Sequence, residues 1–233
     1  MTTRRRFPGH PLAALLGLAV LTLVTAPAAA QPDAYSAAEI RGRVVDAETK
    51  QPVEGVHVVA QWILQTGIFH SVRVTRLHIM ETVTDVKGEY YFAAWGPKPR
   101  PPLSSRSTAD PRLTFFKPGY RVLERNNREP PSQDALGVSI WHGKIVSLDP
   151  FRGTPEQWAF LLGIMQDTLA WGDHTDEVPR RINDYWRQFP RVVLTILQQR
   201  RSLPVHVQDR VSTLDTWHIT EDELRALVGQ KGP

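Results

Sequence analysis

The spacing of apolar residues changes near residue 150, and this change limits the fold more than any other feature of the 233-residue chain. Upstream, apolar and polar residues alternate in short runs, as at Ile40, Gly42 and Val44, which is the period of a half-buried β-strand. Downstream, apolar residues recur every three or four positions, the period of an amphipathic helix. Two such stripes are Trp158, Leu161, Leu162, Met165 and Leu169, and then Ile182, Trp186, Phe189, Val193 and Ile196. The sequence therefore predicts a mainly β protein with an α-helical tail.

The first thirty residues have the pattern of an export signal. Three arginines at 4–6 precede an apolar run at 12–24, and Ala28, Ala29 and Ala30 supply the small residues that a signal peptidase requires. We therefore expect cleavage before Gln31, a periplasmic or secreted protein, and no stable membrane span in the mature chain. The arginines also fit a twin-arginine signal, so that route and ordinary secretion both stay open.

Charge and cysteine content narrow the classes of function. The chain carries a net charge of +4, and removal of the three signal arginines leaves +1. With no dense block of Lys and Arg in the mature chain, a nucleic-acid partner is not expected. The chain has no cysteine, which excludes disulfides and a thiol nucleophile.

The patterns divide the chain into four parts. After the signal peptide at 1–30 we expect a tether at 31–39, a β-domain at 40–149 and a helical segment at 150–233 packed on that domain. Within the β-domain, Asp85–Gly88 is predicted to be a hairpin turn with Gly88 in a left-handed conformation. The prolines of 96–110 predict a long loop.

The sequence also predicts where helices begin. Thr154 with Gln157, and Thr220 with Glu223, form capping boxes, and Pro190 predicts a bend or a restart in the second helical stretch.

Turn residues in a fixed order support a family resemblance. The marks are Gly42, Val44 and Asp46, then Pro52 and Gly55, then Thr84, Asp85 and Gly88, and finally Lys117, Gly119 and Tyr120. In this order and spacing, residues 40–124 resemble the carboxypeptidase regulatory-like domain, which is a transthyretin-like or Ig-like antiparallel β-sandwich. The resemblance implies about seven strands. It implies no activity, because this domain is a module of many unrelated proteins. Residues 93–98 and 110–120 also look like a group of uncharacterised exported proteobacterial proteins.

Two His-x-x-Glu pairs invite a comparison with the zinc site of carboxypeptidases. His78 and Glu81 lie three positions apart in a predicted strand, so their side chains face opposite sides. His218 and Glu221 span a helix start, where Glu221 is explained as first-turn charge. We therefore expect no catalytic residue, no metal and no cofactor.

Two aromatic residues form the candidate ligand or partner face. In a strand from 89 to 95, Tyr91 and Trp95 lie opposite Tyr90 and Phe92, which are expected in the core. The outer pair either receives the C-terminal helices or forms an open platform for stacking sugars.

These observations predict an exported, non-enzymatic interaction module that binds a protein of the cell envelope. The alternatives are a carbohydrate-binding module that uses Tyr91 and Trp95, and a hydrolase with a site at the boundary between sheet and helices.

Overall fold

Ten β-strands precede the helices in the described part of the chain. The computed structural model describes residues 34–66, 73–99, 104–106, 110–126, 139–170, 186–214 and 219–230, so the predicted signal peptide and His218 lie outside it. The strands are β1 (Ala34–Ala37), β2 (Ile40–Asp46), β3 (His57–Thr66), β4 (Arg73–Val83), β5 (Glu89–Phe92), β6 (Trp95–Pro99), β7 (Ser104–Arg106), β8 (Arg112–Phe116), β9 (Leu123–Arg125) and β10 (Lys144–Leu148). They are followed by α1 (Pro155–Ala170), α2 (Pro190–Ser202), a 3-10 helix (Val205–Arg210) and α3 (Glu221–Gln230). The prediction of a mainly β fold with C-terminal helices is confirmed.

The strands form a sandwich of two main sheets. The small sheet has the order β10-β2-β5, with β10 parallel and β5 antiparallel to β2. The large sheet has the order β4-β3-β8-β9, all antiparallel, and β7 also pairs with β3. Strands β1 and β6 form a separate antiparallel pair. Strand β5 is an edge strand of the small sheet, and β4 is an edge strand of the large sheet.

Three short strands lie where none was predicted. Strand β1 occupies residues 34–37 of the predicted tether, and β6 and β7 lie in the predicted proline-rich loop of 96–110. Among the described strands β6 pairs with β1 alone, so its prolines sit on an edge, where a missing N–H is tolerated. Alternation and proline content did not predict these strands, because a short two-stranded pair needs few backbone hydrogen bonds and tolerates proline.

The core between the sheets is apolar and aromatic. It includes Ile40, Val44, Val58, Ala60, Trp62, Tyr90, Phe92, Leu113, Phe115 and Leu148. Tyr90 and Phe92 are therefore in the core, as the strand pattern predicts.

The helices cover the other face of the large sheet. Val59, Ile79 and Phe116 point to that side and share a buried cluster with Trp158, Leu162, Met165, Trp186, Phe189, Val193 and Ile196. The predicted docking of helices on Tyr91 and Trp95 is therefore wrong, because those residues belong to other parts of the sandwich. The large sheet is buried on both faces, which produces three layers: small sheet, large sheet and helices.

Strand β4 holds the facing ends of two helices. Arg76 Nη2 donates to the carbonyl of Leu169 at 2.8 Å, near the C-terminus of α1. The backbone N–H groups of Arg191 and Val192, in the first turn of α2, donate to the Glu81 carboxylate at 3.2 and 2.7 Å. Each charge matches the dipole end that it contacts, and each satisfies backbone groups that have no partner within the helix.

The predicted helix starts are confirmed. Thr154 and Gln157 exchange hydrogen bonds ahead of α1, Thr220 and Glu223 do so ahead of α3, and α2 begins at Pro190. Because the N-cap residue of α2, Phe189, has no capping side chain, Glu81 supplies the cap from the sheet.

The turn at residues 85–88 is a corner between sheets, so the predicted hairpin is wrong. Strand β4 pairs with β3 and β5 pairs with β2, although only five residues separate β4 from β5. The turn itself has the predicted local chemistry, because Asp85 Oδ1 accepts the N–H groups of Lys87 and Glu89, both at 2.9 Å. Gly88 has a φ of 71°, which confirms its left-handed conformation.

We expect Gly88→Ala to destabilise the protein more than Gly119→Ala. Both glycines have positive φ, which costs an alanine about 1–2 kcal/mol. At Gly88 an added Cβ would also lie 2.3 Å from the Val44 carbonyl oxygen, whereas the space around Gly119 is open. Chemical denaturation of both variants measures the difference, and equal losses would show that the Gly88 turn is not held against β2.

Glu81→Ala is expected to lower the free energy of unfolding by about 1–2 kcal/mol, since it removes the acceptor for two N–H groups of α2. The matched control is Glu89→Ala, which removes an exposed carboxylate of β5 that caps no helix. Thermal and urea unfolding of both variants would decide. If Glu89→Ala lowers the free energy of unfolding as much as Glu81→Ala does, the loss is not caused by removal of the α2 cap.

Candidate functional site

A cleft opens where β4 and β5 diverge from the corner at residues 85–88. Its volume is about 790 Å³. One wall is formed by residues 80–83 of β4, and the other by residues 89–93 in and after β5. Arg41, Gly42 and Arg43 of β2, Asp85 of the corner, Gly143 and Lys144 at the start of β10, and Arg191 of α2 complete the described lining. The cleft exists because two consecutive strands enter different sheets and are not paired with each other.

Both strands present an unpaired edge at this cleft. Among the described strands, β5 pairs with β2 alone and β4 pairs with β3 alone. An edge strand carries a row of backbone N–H and C=O groups that can pair with another extended chain. At β5 the outward N–H and C=O groups of Glu89 are already bonded to Asp85. The cleft is therefore bordered by main-chain groups of Tyr91 and of β4 as well as by side chains.

The solvent-facing side chains beside β5 form a small polar cluster. The Arg41 guanidinium lies 4.4 Å from the centre of the Tyr91 ring, and Arg41 Nε donates to Glu39 Oε1 at 2.9 Å. The Tyr91 hydroxyl donates to Glu39 Oε2 at 3.2 Å. The hydrogen bond from Arg41 lowers the pKa of the Glu39 carboxyl, which favours its ionised form. Glu39 thus holds the Arg41 guanidinium over the Tyr91 ring, at cation–π distance.

The cleft is lined by side chains of both charges, four cations (Arg41, Arg43, Lys144 and Arg191) and three carboxylates (Glu81, Asp85 and Glu89). Both oxygens of Glu81 accept N–H groups of α2, and Asp85 accepts N–H groups of its own turn. By contrast, Arg43 makes one described bond, from Nε to the Lys87 carbonyl at 2.9 Å, which leaves its terminal nitrogens available. Lys144 is exposed and forms no ion pair with another described residue.

Tyr91 and Trp95 do not share a face. Tyr91 is 44% exposed at the cleft, whereas Trp95 is only 9% exposed and packs against Trp62 and His78 in the core between the sheets. The alternation predicted over residues 89–95 breaks after Phe92, because β5 ends there and β6 starts at Trp95 in a different pair of strands. The two-ring platform is therefore wrong, and Arg41 lies over the one ring that is exposed.

The His-x-x-Glu pairs have separate roles. His78 stacks on Trp62, and its Nδ1 lies 2.8 Å from Lys98 Nζ, while Glu81 caps α2 on the other side of the sheet. Glu221 accepts hydrogen bonds from Arg201 and Arg225. Within the described residues, no group of three or more His, Asp and Glu side chains is placed to hold a metal ion.

A smaller cleft of about 290 Å³ lies at the boundary of sheet and helices, where the hydrolase alternative places a site. Its described lining is Gly119, Phe151, Gly153, Thr154, Pro155, Trp158, Gln199, Ser202, Leu203 and Pro204. These residues include no His, Asp, Glu or Lys to act as a general acid or base.

The sequence did not reveal the residues that define the main cleft. Arg41 and Arg43 alternate with Ile40, Gly42 and Val44, so a strand pattern places them on the solvent side of β2. That signal was present. The pattern does not show which residues lie across from Arg41 and Arg43. Only the pairing of β2 with β5 places Arg41 opposite Tyr91 and Arg43 opposite Glu89.

His57 is a buried neutral histidine between the large sheet and α2. The Thr195 hydroxyl donates to the Arg191 carbonyl at 3.0 Å, so His57 Nε2, 2.9 Å away, carries the proton and donates to Thr195. Burial, with help from the charges of Arg191 and Lys117, lowers the pKa of His57 to about 4. Burial and Lys98 lower the pKa of His78 to about 4 as well.

Within the described residues, no helix combines the length and the apolar composition needed to cross a membrane.

Comparisons with known proteins yield only distant likenesses. No protein-family model matches the chain, and no curated protein matches it in sequence. The C-terminal domain of shaft pilin SpaA from Lactobacillus rhamnosus GG is similar over 50% of this chain and 99% of that chain, with 13% identity and a TM-score of 0.25. The match to longer SpaA chains spans 47% of their length. The major plantain pollen allergen Pla l 1 is similar over 52% of this chain and 98% of that chain, with 11% identity and a TM-score of 0.26. At such low TM-scores, the likenesses say nothing about function.

Stability is expected to fall as the pH drops from 6.5 towards 4. In this window the unfolded chain binds protons at His57 and His78 that the folded protein does not bind, since both pKa values fall from 6.5 to about 4 on folding. For the more deeply buried His57 this gives a slope of up to about 1.4 kcal/mol per pH unit. Urea unfolding of wild type and His57→Gln between pH 7 and 5 measures the contribution, with His142→Gln on the surface as control. Parallel wild-type and His57→Gln curves would contradict it.

Proposed function

We propose that the chain is an exported, non-enzymatic interaction module that binds a protein of the cell envelope through the cleft between β4 and β5. The observation that carries the proposal is the presence of two unpaired strand edges at one open cleft. An exposed edge strand can pair with an unintended chain. Natural sheets usually prevent this with short edge strands, a covering segment or charged side chains. An edge that remains open beside an exposed tyrosine and several cations is suited to a partner chain.

The layer arrangement supports this choice of surface. The helices occupy the outer face of the large sheet, so their apolar stripes are already buried within the chain. The cleft and the solvent face of the small sheet carry Tyr91, Arg41 and Arg43 instead. Aromatic residues and arginines are the residue types enriched in the energetically important parts of protein interfaces.

Export and family membership are parts of the same proposal. The basic and apolar pattern of residues 1–30 supports a periplasmic or secreted location. The order of turn residues from Gly42 to Tyr120 supports a carboxypeptidase regulatory-like domain, a type of domain that serves as a module beside other domains. A binding role is consistent with such a module.

The two alternatives have less support. A sugar platform requires an open aromatic face, whereas Trp95 is buried and Arg41 lies over Tyr91. The cleft at the sheet–helix boundary has no acid–base residue in its described lining.

Site-specific photo-crosslinking tests the proposal in cells that export the protein. We expect p-benzoyl-phenylalanine in place of Tyr91 to give one discrete adduct with an envelope protein. The same group in place of Val205, which is 85% exposed on the 3-10 helix, is expected to give no such adduct. Absence of an adduct at position 91, or the same adduct from both positions, would contradict binding at the cleft.

A further inference from the structure

We infer that the edge of β10 is a second binding surface, which pairs with an extended and largely apolar peptide segment that carries a carboxylate. Strand β10 lies on the side of β2 opposite to β5, so this surface is distinct from the cleft between β4 and β5. The inference does not rest on the proposed function. Three observations support it: free backbone groups on β10, an apolar groove beside them, and the charges at that groove.

Strand β10 has free backbone groups along its outer edge. Among the described strands it pairs with β2 alone, and the Leu148 carbonyl accepts the Ala47 N–H at 2.9 Å. The even-numbered residues of β10 therefore direct their N–H and C=O groups to β2, and those of Ile145 and Ser147 point the other way. No described group forms a hydrogen bond with them. The edge thus presents two N–H and two C=O groups in sequence.

The chain itself pairs with the next part of this edge. The Arg121 N–H donates to the Asp149 carbonyl, and the Phe151 N–H donates to the Gly119 carbonyl, both at 2.8 Å. The chain then enters β9, which pairs with β8 of the large sheet and leaves the small sheet. The edge is therefore covered after β10 ends, whereas within β10 an added strand can form the same kind of bonds.

A groove of about 610 Å³ lies beside these backbone groups. Its described lining includes Ile140, Trp141, Ile145 and Val146. Ile145 is 66% exposed and Ile140 is 46% exposed. Large apolar side chains that are exposed together mark interaction sites, and a strand added to β10 would place a side chain directly across from Ile145. The groove therefore favours apolar side chains on the added strand.

The charges at the groove favour a carboxylate on the bound segment. Arg125 and Lys144 are the charged residues of the described lining, and neither forms an ion pair with another described residue. Two carboxylates lie nearby: Asp110 accepts a backbone N–H of the lining at 3.0 Å, and Glu124 lies 3.5 Å from Arg112 Nε. Both keep their charges, so three cations face two carboxylates, and one carboxylate of the partner balances the excess.

Amide hydrogen exchange of the purified exported protein tests the inference. The probes are synthetic copies of peptides selected on this protein from a random dodecapeptide library displayed on phage, one from each selected family. We expect a family with apolar residues at alternate positions and at least one Asp or Glu. Its peptide should make the amides of Ile145 and Ser147 exchange about tenfold or more slowly. The Val146 amide, which already faces β2, is the internal control.

The variant Ser147→Pro separates the backbone from the side chain. Proline removes an outward N–H that makes no bond to β2, and edge strands tolerate it at such positions. We expect this variant to bind the peptide about tenfold or more weakly, whereas Ser147→Ala keeps the N–H and should bind as wild type does. Arg125→Glu is expected to weaken binding, and Arg210→Glu, an exposed change outside the groove, to leave it unchanged. Circular dichroism checks the folding of each variant.

The exchange experiment needs no variant, so it decides the matter even if Ser147→Pro does not fold. The inference is overturned if no family slows exchange at both amides, if the family that does so lacks acidic residues, or if a folded Ser147→Pro protein binds as tightly as wild type. A dimer in sedimentation that Ser147→Pro abolishes would assign the edge to a second copy of this chain and also reject the peptide. Crosslinking at position 91 probes the other edge of the small sheet, so either proposal can fail without the other.

Discussion

The architecture depends on strand β4, which contacts the ends of two helices through opposite charges. Arg76 binds the carbonyl end of α1 and Glu81 binds the amide end of α2, so that the sheet stabilises the partial charge at each helix terminus. Apolar burial of Val59, Ile79 and Phe116 supplies attraction without direction. The two charged contacts add direction, because they are satisfied only when each helix end lies over its own residue of β4.

Because the helices cover the outer face of the large sheet, the cleft between β4 and β5 is left exposed. The chain leaves β4 through the corner at residues 85–88 and continues in the other sheet. Strands β4 and β5 are therefore not paired with each other, and a cleft lies between them. The same strand therefore serves two purposes: one face of β4 receives the helices, and its free edge borders the proposed binding site. Glu81 lines the cleft and also caps α2, so it links the cleft to the helical layer.

The sequence predicted much of the secondary structure and less of the site. Capping boxes, Gly88 and the alternation in β2 depend on neighbours within a few residues, and all of them are confirmed in the described residues. Tyr91 and Trp95 were paired by extending one alternation across Ala93 and Ala94, where the strand ends. Sequence periodicity has no information about where a ladder stops, since that is decided by the partner strand. The runs at Val58, Val59 and Ala60 and at Phe115 and Phe116 did carry a signal of burial on both faces, which a reading as half-buried strands overlooks.

By itself, the sequence determined the order of the main strands and helices, the chemistry of the turns and the absence of thiols, because these depend on local backbone preference and on composition. It also determined which side chains of β2 face outward. Only the tertiary structure decided which sheet each strand joins, which face the helices cover, and that Arg41 lies on Tyr91. Those outcomes depend on pairing between residues about 50 positions apart, as for Arg41 and Tyr91. Several pairings satisfy the same hydrophobic pattern, and packing of the whole chain selects among them.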